Sequence, residues 1–287
     1  KMGDSFQSKT ALSVLKDRLN NSWRLPLFFS SENECFILKL GVTEIVGAAG
    51  CGKTQIALST CVTCACKYRV GKSSDNSFGK AIYVSMGEGM SKQMIARRLD
   101  QISKSRILKR TNNTTTKAIL NRIITRFIPN QDEFEQFILS DLPSFLKLNS
   151  SVGLIVFDSI ASMFRTDEMN NELFAVNRSS LFFLLSAQLK KLSEVHNIPI
   201  IVINQVTGDF SMNATLSRPA LGLSWESCIN QSFSLTRREI VTNNCVGKGN
   251  DYKNSTRFQR AITCRLSSTY ETVESKFVIV DAGTKIV

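Results

Sequence analysis

Gly47-Ala48-Ala49-Gly50-Cys51-Gly52-Lys53-Thr54 satisfies the pattern G-x-x-x-x-G-K-[S/T] in full. Before it, Val42-Thr43-Glu44-Ile45-Val46 is a short β-rich run, and after it Lys53 to Cys66 has few helix breakers. The stretch reads as strand, glycine loop and helix, the setting this motif requires. Glycines let the backbone curl until successive N–H groups face an anion, and the following helix N-terminus adds positive potential. Lys53 is expected at the β- and γ-phosphates of ATP, and Thr54 at the accompanying Mg²⁺. The cradle itself is expected from Gly47, Ala48, Ala49, Gly50, Cys51 and Gly52, with Gln55 next to Lys53 and Thr54.

A phosphate loop needs a second carboxylate for its metal, usually at the end of a neighbouring buried strand. Leu154-Ile155-Val156-Phe157-Asp158 supplies one, which makes Asp158 the second candidate metal residue. The alternative for Asp158, followed by Ser159, is an ordinary helix N-cap. Further apolar segments at Ala81–Val84 and Ile198–Ile203 are separated by stretches long enough for crossover helices. That alternation predicts an α/β fold with a mainly parallel sheet covered on both faces. Glu172 to Val195 is the clearest helix; another is expected near Glu133 to Leu148, kinked or split by Pro143. After Trp225 the runs shorten around Phe233–Thr236, Ala261–Leu266 and Phe277–Val280, predicting antiparallel strands, with Val241 to Thr256 as a polar loop. Residues 1–40, with helical spacing at Leu12, Leu15 and Leu19, read as a lead-in that packs on a core domain spanning 41–287.

The 287 residues carry 36 basic and 24 acidic side chains, a formal charge of +12, and are 43% hydrophobic. This is a globular composition with a basic exterior, pointing to an anionic partner, either nucleic acid or an acidic surface. No apolar run approaches the roughly 18 residues needed to span a bilayer, so a transmembrane chain is excluded. Eight cysteines are too few for a disulfide scaffold at this length, and the N-terminus lacks a signal-peptide pattern, so a reducing compartment is expected. Cys61, Cys64 and Cys66 fall on the helix after the glycine loop at spacings that cannot place all three on one face; they read as buried small hydrophobes rather than metal ligands. A single histidine, His196, excludes His-pair metal sites and reads as a helix-end residue.

Five motifs in fixed order resemble the RecA-like recombinases, and among them the eukaryotic recombinase paralogues. They are Thr43-Glu44-Ile45-Val46-Gly47 entering the loop, Gln55 after Lys53-Thr54, Val156-Phe157-Asp158-Ser159-Ile160-Ala161, Ile203-Asn204-Gln205-Val206-Thr207 and Leu221-Gly222-Leu223-Ser224-Trp225. The resemblance implies a RecA-like P-loop ATPase core acting in homologous-recombination DNA repair in the nucleus. It also implies binding of ATP, Mg²⁺ and single-stranded DNA within a hetero-oligomer containing another paralogue and the main recombinase. Gln205 matches the residue through which recombinases sense the γ-phosphate. Thr166–Asn177 and Val206–Pro219 match the two DNA-binding loops, although both hold little positive charge.

Two departures stand out. The family's water-activating Glu falls at Gly87 in Tyr83-Val84-Ser85-Met86-Gly87, with Glu88 one residue late; Glu88 is the candidate base. ATP binding with slow hydrolysis is therefore expected. The adenine-stacking Arg of the family falls near Met94, which cannot stack a cation. Basic residues cluster instead at Arg97-Arg98, Lys104 to Arg110, Lys117, Arg122 and Arg126, and from Lys248 to Arg265, a distribution that fits a phosphate-tracking surface. The competing reading is a P-loop scaffold with degraded hydrolysis whose main role is protein–protein interaction. A small-metabolite kinase is disfavoured, because no lid-like Arg cluster is apparent.

Overall fold

The computed structural model describes residues 25–28, 36–37, 40–67, 79–87, 89–107, 115–164, 172–207, 218–245, 252–267 and 274–287. Strand β3 (Val42–Gly47) leads through the glycine loop into α1 (Lys53–Lys67), as the motif requires. It lies between β7 (Ile200–Thr207) and β9 (Gln231–Cys245) and is parallel to both. Outward from β7 come β6 (Val152–Asp158), β4 (Lys80–Met86) and the edge strand β5 (Ile123–Ile128), all parallel. Outward from β9 the pairing turns antiparallel through β10 (Tyr252–Leu266), β11 (Glu274–Val280) and β12 (Gly283–Ile286). The short β8 (Arg218–Pro219) pairs with β7.

Every residue of β3 and β6 is buried, which is why these strands read as continuous apolar runs rather than as alternations. One face of the sheet is covered by α1, α2 (Lys92–Ile107) and α3 (Thr116–Leu120), where Ile56, Leu58, Leu99, Ile102 and Ile119 form one cluster. Leu25 in β1 (Leu25–Pro26) and Ile37 in β2 (Phe36–Ile37), with Leu27 and Phe28, join this cluster, and the Phe28 ring lies 5.4 Å from that of Phe277. On the other face α4 (Gln131–Gln136), α5 (Leu142–Leu148), α6 (Glu172–His196) and α7 (Gly222–Glu226) form the second cluster, around Phe134, Phe157, Phe182, Leu189 and Trp225. The expected α/β architecture, with helices on both faces and antiparallel strands at the C-terminal end, is borne out.

Several expectations change. The Glu133–Leu148 segment is split, as expected: a π-helical turn at Phe137–Asp141 separates α4 from α5, which leaves Pro143 in the first turn of α5, where a missing N–H is tolerated. Strand β5 was not legible, because only Ile123 and Ile128 of its six residues are buried and no apolar run marks it. Val241–Thr256 is not one loop. The β9 and β10 backbones pair from Leu266↔Ser232 to Tyr252↔Cys245, so only 246–251 falls between the strands, outside the described residues. The segment matched to the first DNA loop, Thr166–Asn177, becomes helical from Glu172, and the helical spacing at Leu12, Leu15 and Leu19 lies outside the described residues. Among the described residues no helix is long and apolar enough to cross a membrane.

Candidate nucleotide-binding site

The C-terminal ends of β3, β4, β6 and β7 open on a pocket of about 330 Å³ lined by Gly50, Lys53, Thr54, Tyr83, Asp158 and Gln205, among others. Gly52 has φ +107°, a conformation that disfavours any side chain, and a Cβ built there would lie 3.2 Å from Ile279 Cδ1 and 3.4 Å from the Phe277 ring. Lys53 is 9% exposed; its Nζ donates to the carbonyls of Gly47 at 2.6 Å and Ala48 at 2.8 Å, and burial pulls its pKa below the usual lysine value. These bonds hold the ammonium at the mouth of the loop, on the pocket side.

Asp158 ends β6 at the pocket floor, where burial raises its pKa above that of an ordinary carboxylate. Hydrogen bonds from Thr54 and Tyr83, and the nearby Lys53 charge, oppose that rise. Tyr83 donates its hydroxyl to Asp158 Oδ2 at 2.7 Å, and burial with the adjacent carboxylate pushes its own pKa well up. A carboxylate and a hydroxyl already in contact form a donor set suited to a hard divalent cation. Gln205, on β7, donates from Nε2 to Ser159 Oγ at 3.3 Å. The structure thus brings Lys53, Thr54, Asp158 and Gln205 together.

Other candidates stand differently. Glu88 lies outside the described residues. Gly87 has φ +59°, and a Cβ built there would lie 2.9 Å from both Cβ and Oγ of Ser162, which fills the direction a side chain at 87 would take. Met94 is 57% exposed on α2. Gln55 accepts from Arg98 Nε at 2.6 Å, tying the loop helix to α2. Cys61, Cys64 and Cys66 are buried as expected; burial raises the Cys64 thiol to about 12, and the described residues hold no metal-ligand cluster. Cys51 is buried too, at 2% exposure.

Sequence reasoning missed Tyr83, Ser159 and Ser162 as pocket residues, and Arg237. Tyr83 was marked only as the start of a motif, whereas its proximity to Asp158 spans 75 positions in the chain. Arg237 approaches Gly50, packs over the Phe258 ring at 3.6 Å, and faces Arg260 across the β9–β10 ladder. No local signal in the sequence marks that juxtaposition.

The model of the family described as Rad51 matches residues 34–221, well over half of the chain. The chain belongs to the Rad51 family. It is similar to the DNA repair protein XRCC3 homolog of Arabidopsis thaliana, 28% identical over 225 residues that cover 69% of each protein. It is also similar to the DNA repair protein RAD51 homolog 3 of Dictyostelium discoideum, 30% identical over 194 residues covering 64% of this chain and 49% of that protein. The DNA repair protein XRCC3 of Mus musculus is 26% identical over 195 residues, 64% of this chain and 54% of its own length. The match therefore spans about half of the latter two relatives. Two of the three are XRCC3 proteins and the third is another RAD51 homolog, which is consistent with an XRCC3-like paralogue of the Rad51 family. In fold, the chain matches the crystal structure of the RadB recombinase with a TM-score of 0.57 and 21% identity, over 88% of this chain and 93% of that one.

Proposed function

We propose that this Rad51-family chain is an ATP-binding recombinase paralogue that acts in homologous-recombination DNA repair in the nucleus. It would bind single-stranded DNA and assist the main recombinase as part of a hetero-oligomer with another paralogue. The observation that carries the reading is the convergence, on one pocket, of the phosphate loop with Lys53, the Thr54–Asp158 contact and the Gln205–Ser159 bond. The relatives' names, DNA repair proteins all, support the setting.

Loop N–H groups and Lys53 would bind the phosphates, while Thr54 and Asp158 would hold Mg²⁺, which neutralises phosphate charge when bound. Tyr83 holds the Asp158 carboxylate in place from below. Gln205, bonded to Ser159 beside Asp158, would respond to the terminal phosphate. Gly87 brings no carboxylate to the usual base position, and Glu88 remains the candidate base, so hydrolysis is slow in this reading. For DNA, the exposed Arg237 and the half-buried Arg260, opposite each other on the β9–β10 hairpin, form a charged surface beside the phosphate loop, where Arg260 Nε is buried without a hydrogen-bond partner.

Lys53→Ala tests the reading. It should weaken Mg·ATP binding by at least about tenfold, the order expected when a charged phosphate contact is lost, and abolish support of repair in cells. The scaffold reading, favoured by Gly87 packed against Ser162, predicts that repair survives the same substitution.

A further inference from the structure

Glu44 is 1% exposed in the middle of the central strand β3, and three side chains from three different elements donate to it. Asn204 Nδ2 on β7 reaches Oε1 at 2.8 Å, Trp225 Nε1 on α7 reaches the same oxygen at 3.1 Å, and Ser232 Oγ on β9 reaches Oε2 at 2.9 Å. Burial nonetheless raises the Glu44 pKa, with the Arg265 charge opposing weakly. A buried carboxylate of this kind is poor evidence for stability, since apolar residues of the same volume commonly do as well or better. Its three donors give it a positioning role instead.

Asn204 points to that role. While its amide nitrogen donates to Glu44, its Oδ1 accepts the backbone N–H of Gln205 at 2.7 Å. The Gln205 carbonyl accepts from Ala220 N at 2.8 Å, and its side chain reaches Ser159. Gln205 is thus held from both backbone sides at the pocket wall, and the hold traces back to Glu44, three residues before the phosphate loop begins at Gly47.

We propose that Asn204 and Glu44 are positioning residues that aim Gln205 at the terminal phosphate, so that discrimination of ATP from ADP depends on a relay Glu44–Asn204–Gln205. This rests on the reading of Gln205 given above. The relay needs an acceptor at position 44 rather than a negative charge, because a glutamine there can still accept from Asn204 and Trp225 while Ser232 turns its hydroxyl to accept from the new amide. Removal of Asn204 leaves the Trp225 and Ser232 bonds to Glu44 intact, which makes it the gentler cut.

The test is the ratio of affinities for a non-hydrolysable ATP analogue and for ADP, measured with fluorescent nucleotides on the full chain. Gln205→Ala should reduce the preference for the ATP analogue by about fivefold or more, the lower end of typical coupling between sites. Asn204→Ala should reduce it equally with ADP affinity unchanged, the double variant should fall no further, and Glu44→Gln should keep the wild-type ratio. Glu44→Ala should behave as Asn204→Ala if it folds. If Asn204→Ala keeps the wild-type ratio, or weakens both nucleotides alike, the relay is overturned while the role of Gln205 stands. If Gln205→Ala itself leaves the ratio unchanged, the sensing role falls and the relay with it.

Discussion

At position 87 the backbone and one neighbour together restrict what side chain can be accommodated. A non-glycine residue at φ +59° costs about 1 to 2 kcal/mol, and Ser162 blocks the Cβ direction, so Gly87→Glu should destabilise the chain and fail to raise ATP turnover. Ser162→Gly removes the obstacle. The double variant should be less destabilised than the sum of the singles by more than about 0.5 kcal/mol in urea unfolding, whereas additivity would mean that Ser162 is not what closes the position. Asp158 offers a second test through pH. Burial raises its pKa, so its protonated form is favoured in the fold: its contribution to stability is full below the ordinary carboxylate range and is lost as pH rises through the raised value. Metal binding needs the opposite form. Without Mg²⁺, Asp158→Asn should melt higher than wild type at about pH 7, with the gap closing toward about pH 4. Over the same range the Mg²⁺-dependent part of ATP affinity in the wild type should decline; a gap independent of pH would show that Asp158 is not perturbed. These residues also mark how far the sequence could be read. Lys53, Thr54 and Asp158 were legible because each lies within a contiguous motif. Ser162 and Arg237 were not, because what they do depends on a neighbour that the chain brings close only by folding.

Among elements, α2 shows most clearly how a basic segment can be misread. Of its cluster, Arg98 donates to Gln55, Gln101 and the Val280 carbonyl, and Lys104 pairs with Asp100 at 2.7 Å. Arg106, 3% exposed, donates to the Ala282 carbonyl at 2.8 Å, to Thr63 Oγ1 at 2.7 Å and to Ser59 Oγ at 2.6 Å, joining α2 and α1 to the turn before β12. Arg122, just before β5, donates to the Ala65 carbonyl. Arg98, Arg106 and Arg122 hold elements together, whereas the Lys104–Asp100 pair lies within α2. Arg106→Ala should therefore cost about 3 kcal/mol of unfolding free energy, the loss expected from buried charge-assisted bonds, while Arg97→Ala on the exposed side should stay within about 0.5 kcal/mol. Equal effects in a denaturant titration would refute the assignment. The hairpin is the converse case. Val241–Thr256 offers a pairing partner but no alternating apolar face, so nothing in its periodicity marks a strand; only the ladder between Val241↔Thr256 and Tyr252↔Cys245 does. The central parallel strands were legible because burial on both faces writes itself as an apolar run, as in Leu154–Phe157, whereas the parallel edge strand β5 is buried only at its two ends and carries no such run.

For the whole molecule, the question is where a charge of +12 acts. The engagement of Arg98, Arg106 and Arg122 within the fold shifts the expected polyanion surface away from α2 and toward the β9–β10 hairpin. There Arg237 and Arg260 stand directly opposite each other, a like-charge pairing that destabilises a ladder unless an anion relieves it, and burial, with the Arg237 charge adding to it, lowers the Arg260 pKa. Phe258, 46% exposed under the Arg237 guanidinium, adds a surface on which a base can stack. If single-stranded DNA binds here, log affinity should fall with log salt by about 0.7 per phosphate contact, and Arg237→Ala with Arg260→Ala should reduce that slope by about 1.4. The exposed pair Arg97→Ala with Arg126→Ala, on α2 and on the edge strand β5, should leave the slope unchanged. A slope lost with the second pair and kept with the first would return the interface to α2 and β5; a flat salt response in the unaltered chain would mean that the basic surplus meets an acidic protein surface instead.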